Sequence, residues 1–280
     1  MRFKVMASRH SAFYTPLLSC LSFLRDEGHE VAYSVLGPRQ RSYALLRDGE
    51  VDIMQSAVSS NWAPREQRIE PLPVHFAQIN QRDGFFLVGR GPDPEFQWDD
   101  LEGKTLLADH GLQPLVMLKY ALRHNGSDWQ RIKVVDGGTP DKMEAAFHSG
   151  TADYVHLQGP VATGEILASV GAAMPPVAFS SLCCSRAYQK TEGYATFLQT
   201  YKRVREWTQT APADEIAAKE ASFFPGIEAG VLAATVIRYQ SLGCWDGGVE
   251  IRRDLYEQAL DVFQSVGAIA WRHQYEEVVG

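Results

Sequence analysis

The chain has 280 residues, 45% of them hydrophobic and 22% charged. This is the balance of a globular protein with one large domain or two lobes, and it excludes disorder, collagen-like repeats and a small disulfide scaffold. Its 27 Lys and Arg against 34 Asp and Glu leave a net charge of −7, and with no basic block no nucleic-acid partner is expected. Four cysteines are too few for a disulfide framework. No CxxC pair or HExxH is present, so no metal is expected. Without GxxxxGK[ST] or GxGxxG, no nucleotide cofactor is expected either.

The first predicted strand covers residues 3–7 and runs into a polar loop, Ser8-Arg9-His10-Ser11. Thr15-Pro16 supplies an N-cap and a first-turn proline. Leu17, Leu18, Leu21 and Leu24 then repeat at helical spacing until Gly28 stops the helix. Arg2, Lys4 and Arg9 ahead of the apolar patch at 17–24 imitate an export signal, but Arg25-Asp26-Glu27 follows with no small-residue cleavage site. A strand at 30–36 leads to a turn at Gly37-Pro38, a second helix to about Gly49 and a strand at 51–54. This is the grammar of a parallel sheet. Residues 83–88 form an extended crossing into a second lobe. There a strand at 105–108, a loop, a helix at 115–124 and a strand at 132–135 follow. Gly138-Thr139-Pro140 opens a helix to about Gly150, and a strand covers 152–157. Residues 166–185 carry no charge and are long enough to span a bilayer, but Gly171 and Pro175-Pro176 divide them into a helix end, a turn and a strand. That strand, 177–184, is the return crossing. From about Arg186 the chain reads as helical, with Tyr256, Ala259, Leu260 and Phe263 on one face.

The two halves repeat. Gly37 and Gly138, Ala44 and Ala145, Gly49 and Gly150, and Asp52 and Asp153 all stand 101 positions apart. Two such lobes joined by two extended crossings predict a hinge and a ligand between them. The ligand should sit outside the carboxyl ends of the strands, near helix N-termini that favour an anion.

The ordered pieces resemble the periplasmic binding protein-like solute receptors of ABC importers, in the nitrate/sulfonate/taurine and thiamine-pyrimidine-precursor group. His10-Ser11-Ala12-Phe13-Tyr14-Thr15-Pro16-Leu17 resembles that family's opening. Leu46 to Ile53, Gln81 to Leu87, and Phe96 to Lys104 with Trp98, Asp100, Leu101, Gly103 and Lys104 also match, as do Tyr239 to Trp245 and Asp261 to Ile269. The resemblance implies an α/β fold of two Rossmann-like lobes joined by a two-strand hinge (periplasmic binding protein-like, type II), with the cleft between lobes. Lobe 1 is expected over 1–84 plus 185–280 and lobe 2 over 85–184. It also implies a periplasmic receptor, monomeric or dimeric, that hands a small molecule to a membrane permease. With Met1 as the native start, the chain would be cytoplasmic. An alternative is a cytoplasmic enzyme on the same fold, a synthase, lyase or decarboxylase acting on a pyrimidine or aromatic acid precursor. Against one such relative, His10 has no Lys beside it and the cysteine run is only Cys183-Cys184.

The expected ligand is a small polar organic molecule or oxyanion, sulfonate-, nitrate- or pyrimidine-like, with no catalytic residue and no cofactor. Arg9, His10, Arg39 and His110 would balance its charge, while Phe13 and Tyr14 would face a flat or apolar portion. Arg39 and Gln40 open the second helix, where they could equally be surface residues. Gln55 and Ser56, with Ser59 and Ser60, follow a strand's carboxyl end and suit hydrogen bonds to a polar ligand or plain loop capping. Asn80 and Arg82 stand where the chain changes lobes. Gln113, Gly138, Thr139 and Gln158 occupy the matching loops of the second lobe, Gly138 offering bare backbone N–H groups. His156 ends the repeat strand and reads either as a ligand or as a residue under a helix.

Overall fold

The structure is a computed structural model that describes residues 1–138, 140–161 and 164–280. The first segment contains β1 (Arg2–Ala7), α1 (Thr15–Asp26), β2 (Glu30–Val35), α2 (Ser42–Arg47), β3 (Ile53–Ser56), α3 (Trp62–Glu66) and β4 (Val74–Asn80). The second contains β5 (Phe85–Gly89), β6 (Thr105–Ala108), α4 (Leu112–His124), β7 (Lys133–Asp136), α5 (Pro140–His148), β8 (Tyr154–Gln158) and β9 (Glu165–Ser169). The chain then returns through β10 (Ser180–Cys184) to α6 (Glu192–Thr210), α7 (Ala213–Glu220), α8 (Ala229–Ser241), α9 (Arg253–Ser265) and α10 (Tyr275–Val278).

Ten strands form two five-stranded sheets, in the orders β2-β1-β3-β10-β4 and β7-β6-β8-β5-β9. The orders match strand for strand. In each sheet three strands are parallel, and the fourth position is filled by an antiparallel strand belonging to a crossing between sheets. The duplicated aspartates perform the same task. Asp52 accepts from Lys4 N through Oδ2 at 2.8 Å, and Asp153 accepts from Thr105 N through Oδ2 at 2.8 Å. Lys4 and Thr105 also stand 101 positions apart, so the repeat extends into the edges of β1 and β6.

Three expectations need correction. Residues 180–184 were placed at the end of the second lobe, but β10 lies in the first sheet, with Leu182 opposite Gln55 on one side and Ala77 on the other. Its full burial needs a neighbouring strand on both edges to satisfy its backbone. The start of the 166–185 stretch, expected to end a helix, lies largely in strand β9, paired to β5. The second helix begins later than Gly37-Pro38, because Gln40 Oε1 accepts from Gly37 N at 2.8 Å and closes a turn there. β4 was not foreseen. It is almost wholly buried and so shows no alternation of apolar and polar residues.

The core follows the helical and strand periods. Leu17, Leu21 and Leu24 of α1 pack in one buried cluster with Phe3 and Val5 of β1 and Phe197, Tyr201 and Val204 of α6. Tyr256, Ala259, Leu260 and Phe263 of α9 are buried as their spacing requires. Arg123 of α4 donates to the Ser265 carbonyl at 3.0 Å. No helix among the described residues is long and apolar enough to cross a membrane.

Candidate functional site

The carboxyl ends of the parallel strands in both sheets converge on one cavity of about 270 Å³. Ser8 and Arg9 enter it from the loop after β1, Gln55 and Ser56 from the end of β3, and Ser59 and Ser60 from the turn that follows. From the second sheet come Gln113 and Pro114 in the first turn of α4, and Gln158 at the end of β8. The antiparallel strands contribute their starts, Phe85 of β5 and Phe179-Ser180 at β10. Tyr14, Leu36 and Ala57 complete the wall.

The polar side chains of the cavity are held by hydrogen bonds to one another and to backbone. Gln55 Oε1 accepts from Ser8 N at 2.9 Å and Ser8 Oγ at 2.7 Å, which locks the loop after β1 onto β3. Ser59 Oγ donates to Gln113 Oε1 at 2.5 Å, and Gln113 Nε2 donates to the Phe179 carbonyl, so this amide spans the two sheets. Arg9 crosses in the same sense and pairs with Asp109, the residue after β6. Burial lowers the Arg9 pKa from its ordinary value, opposed by the Tyr14 hydroxyl and the Asp136 carboxylate nearby. Burial also raises the Tyr14 phenol above the usual range. The Gln158 amide Nε2 is buried beside the Tyr14 hydroxyl.

Among the candidate residues, the structure gathers Arg9, Tyr14, Gln55, Ser56, Gln113 and Gln158 around the cavity. It places the others elsewhere. His10 lies against the Tyr33 hydroxyl at 3.0 Å and the Phe223 carbonyl at 2.8 Å, tying the loop after β1 to the helical segment. Phe13 is fully buried against Phe179 and Tyr239. Arg39 and Gln40 sit in the exposed turn before α2. Asn80 is one layer behind the wall, donating to Ser180 Oγ at 2.7 Å. Arg82 donates to the Gly171 carbonyl at 3.1 Å beside the crossing. His110 is exposed, and Gly138 turns with a φ of 76° on the Asp136 carboxylate; neither lines the cavity. Thr139 lies outside the described residues. The common reason is direction: sequence shows which loop a residue belongs to, but not which side of that loop faces the other sheet.

His156 is buried beneath the cavity, its ring stacked on Phe85 at 4.3 Å, and burial with the Arg9 charge pushes its pKa down to about 3. Cys183 and Cys184 are buried free thiols away from the cavity wall, both raised in pKa by burial and hence poor nucleophiles. Ser8, Phe85, Phe179 and Ser180 had been passed over. Their positions at strand starts and ends beside foreseen residues were the available clue. No group of three or more His, Cys, Asp or Glu among the described residues is placed to hold a metal ion.

No protein-family model matches the chain. Over 99% of its length it is 26% identical to YtlA of Bacillus subtilis (strain 168), provisionally named a binding protein, of which it covers 86%. Among solved structures it is similar to the zinc-bound ligand-binding component of an ABC-type import system from Staphylococcus aureus. That match has a TM-score of 0.79 at 11% identity and covers 100% of this chain and 96% of the other. It is also similar to the periplasmic aliphatic sulphonate binding protein SsuA from Escherichia coli, with a TM-score of 0.74 at 15% identity over 99% and 97% of the two chains. Paired sheets, antiparallel crossing strands and a cavity at the strand ends thus coincide with end-to-end likeness: the chain has the periplasmic binding protein-like fold of ABC-import ligand-binding components.

Proposed function

We propose that this protein is the solute-binding component of an ABC importer, working outside the cytoplasmic membrane. It holds one small polar organic molecule between its two sheets and presents the closed form to a permease. The observation that carries the reading is the cavity itself, built from loops of both sheets at the carboxyl ends of their parallel strands, with prearranged amides and hydroxyls. Its volume of about 270 Å³ suits a small metabolite. Binding, rather than bond cleavage, agrees with a wall of neutral amides, hydroxyls and aromatic faces in which the one cation among the described residues is already paired.

The test is a thermal-shift screen of sulfonates, nitrate, aromatic carboxylates, pyrimidines and amines, followed by calorimetry. A true ligand at a hundred times its dissociation constant adds about 2.7 kcal/mol of stability. Gln158→Ala, which removes an amide from the cavity wall, is expected to weaken that ligand by about 1–3 kcal/mol, roughly tenfold to a hundredfold. A protein stabilised by none of these classes is not a receptor for them. Turnover of a bound compound would favour catalysis instead.

A further inference from the structure

We infer that Asp109 sets the charge class of the ligand: by occupying Arg9 from the opposite sheet, it makes the cavity select molecules with no net negative charge. This rests on the ligand-binding reading above and deepens it. Arg9 is the only charged side chain among the described residues that line the cavity. Among the described residues, an anion entering there has no other cation in the wall to meet.

The charge of Arg9 is already balanced. The guanidinium reaches across the cleft to the Asp109 carboxylate, which is 4% exposed. The other carboxylate oxygen, Oδ1, accepts from Gly111 N. The pocket around this pair is tight: a Cβ added at Gly111 would lie 2.2 Å from Arg9 Nη2 and 2.9 Å from Asp109 Oδ1. Asp136, at the end of β7, adds a second negative field on the same guanidinium. An oxyanion reaching Arg9 would meet a charge already balanced by Asp109, and drawing the guanidinium away would strand a nearly buried carboxylate, which is strongly unfavourable.

The duplication sharpens the point. Asp109 occupies the position 101 residues after Ser8, so the first sheet presents a hydroxyl where the second presents a charge. The remaining wall is neutral, with the amides of Gln55, Gln113 and Gln158 against the flat faces of Phe85 and Phe179. The Gln158 amide and the Tyr14 hydroxyl, side by side in that wall, are neutral groups able to hydrogen-bond a carbonyl oxygen or ring nitrogen.

The experiment titrates sodium methanesulfonate and sodium nitrate into wild type, D109N, D109A and the double variant R9Q/D109N, with circular dichroism verifying each fold. Two variants at Asp109 guard against one that does not fold. Wild type is expected to show no saturable binding of either anion below about 1 mM. At least one Asp109 variant is expected to bind one of them ten times more tightly than wild type, and R9Q/D109N is expected to lose that gain. Wild type binding either anion as tightly as the Asp109 variants overturns the inference while leaving the receptor reading intact. Asp109 variants that gain nothing also overturn it, since Arg9 would then be no latent anion site. Failure of the receptor reading would show separately, as the absence of any stabilising solute, charged or uncharged, in the wild-type screen.

Discussion

Glu220 is a carboxyl enclosed by the first half of the molecule, with Ser19 Oγ at 2.7 Å and Thr15 Oγ1 at 3.0 Å. Burial pushes its pKa up to about 8. The Thr15 hydroxyl has one hydrogen and also lies 2.8 Å from the Ala12 carbonyl. A protonated Glu220 can donate to Thr15 and leave that hydrogen for Ala12, which satisfies all three groups. Because the folded pKa is raised, native Glu220 holds its proton more tightly than the unfolded chain does. Its contribution to stability is therefore complete below about pH 4.5 and is lost as pH rises toward 8. Asp83, raised to about 8 by burial, acts in the same direction. Glu220→Gln, which keeps a neutral hydrogen-bonding group, is expected to reduce the fall in melting temperature between pH 5 and 8. A pH slope unchanged from wild type would show that Glu220 is not held neutral. None of this was visible in the chain; only α1 laid across Glu220 reveals its burial.

At the scale of elements, the connections between halves rest on few groups. Tyr239 of α8 donates to the Gly84 carbonyl at 3.0 Å and accepts from Gly159 N at 2.7 Å, so one hydroxyl fastens both the outgoing crossing and the end of β8. Tyr239→Phe leaves a buried N–H and a buried carbonyl without their partner. It should cost about 1–3 kcal/mol in urea denaturation, and a loss within experimental error would mean that water replaces the hydroxyl. Gly171 is as constrained by space: a Cβ there would stand 2.1 Å from the Asp83 carbonyl oxygen. Gly171→Ala therefore has to displace backbone at the crossing, with a lowered melting temperature as the readout. The short parallel strands and α1 were legible because turns, caps and apolar periods act within a few residues. β9 and the late start of α2 were not, since one depends on pairing with β5 and the other on a side chain closing its own turn.

For the whole molecule, the bonds across the cleft hold a closed arrangement: Arg9 with Asp109, Ser59 with Gln113, and Ser11 Oγ with the Gly159 carbonyl at 2.7 Å. In the receptor function proposed above, closure of this kind would be the change presented to a permease. Gln113→Ala removes both the Ser59 bond and the hold on Phe179. It is expected to shift the ligand-free protein toward a more open form, seen as a larger radius of gyration in small-angle X-ray scattering. Unchanged scattering would show that this amide does not hold the cleft shut.

The sequence by itself determined the α/β class, the duplication at an offset of 101 residues, and the loops after β1, β3, β6 and β8, which the structure brings to one cavity. These follow from local forces: hydrophobic period, turn glycines, and caps within a few residues of one another. Only the tertiary structure decided that β10 completes the first sheet, that His10 and Phe13 belong to the packing, and that Arg9 meets Asp109. Each of those outcomes depends on residues about a hundred or more positions apart, and no local preference specifies which loop faces they present to each other.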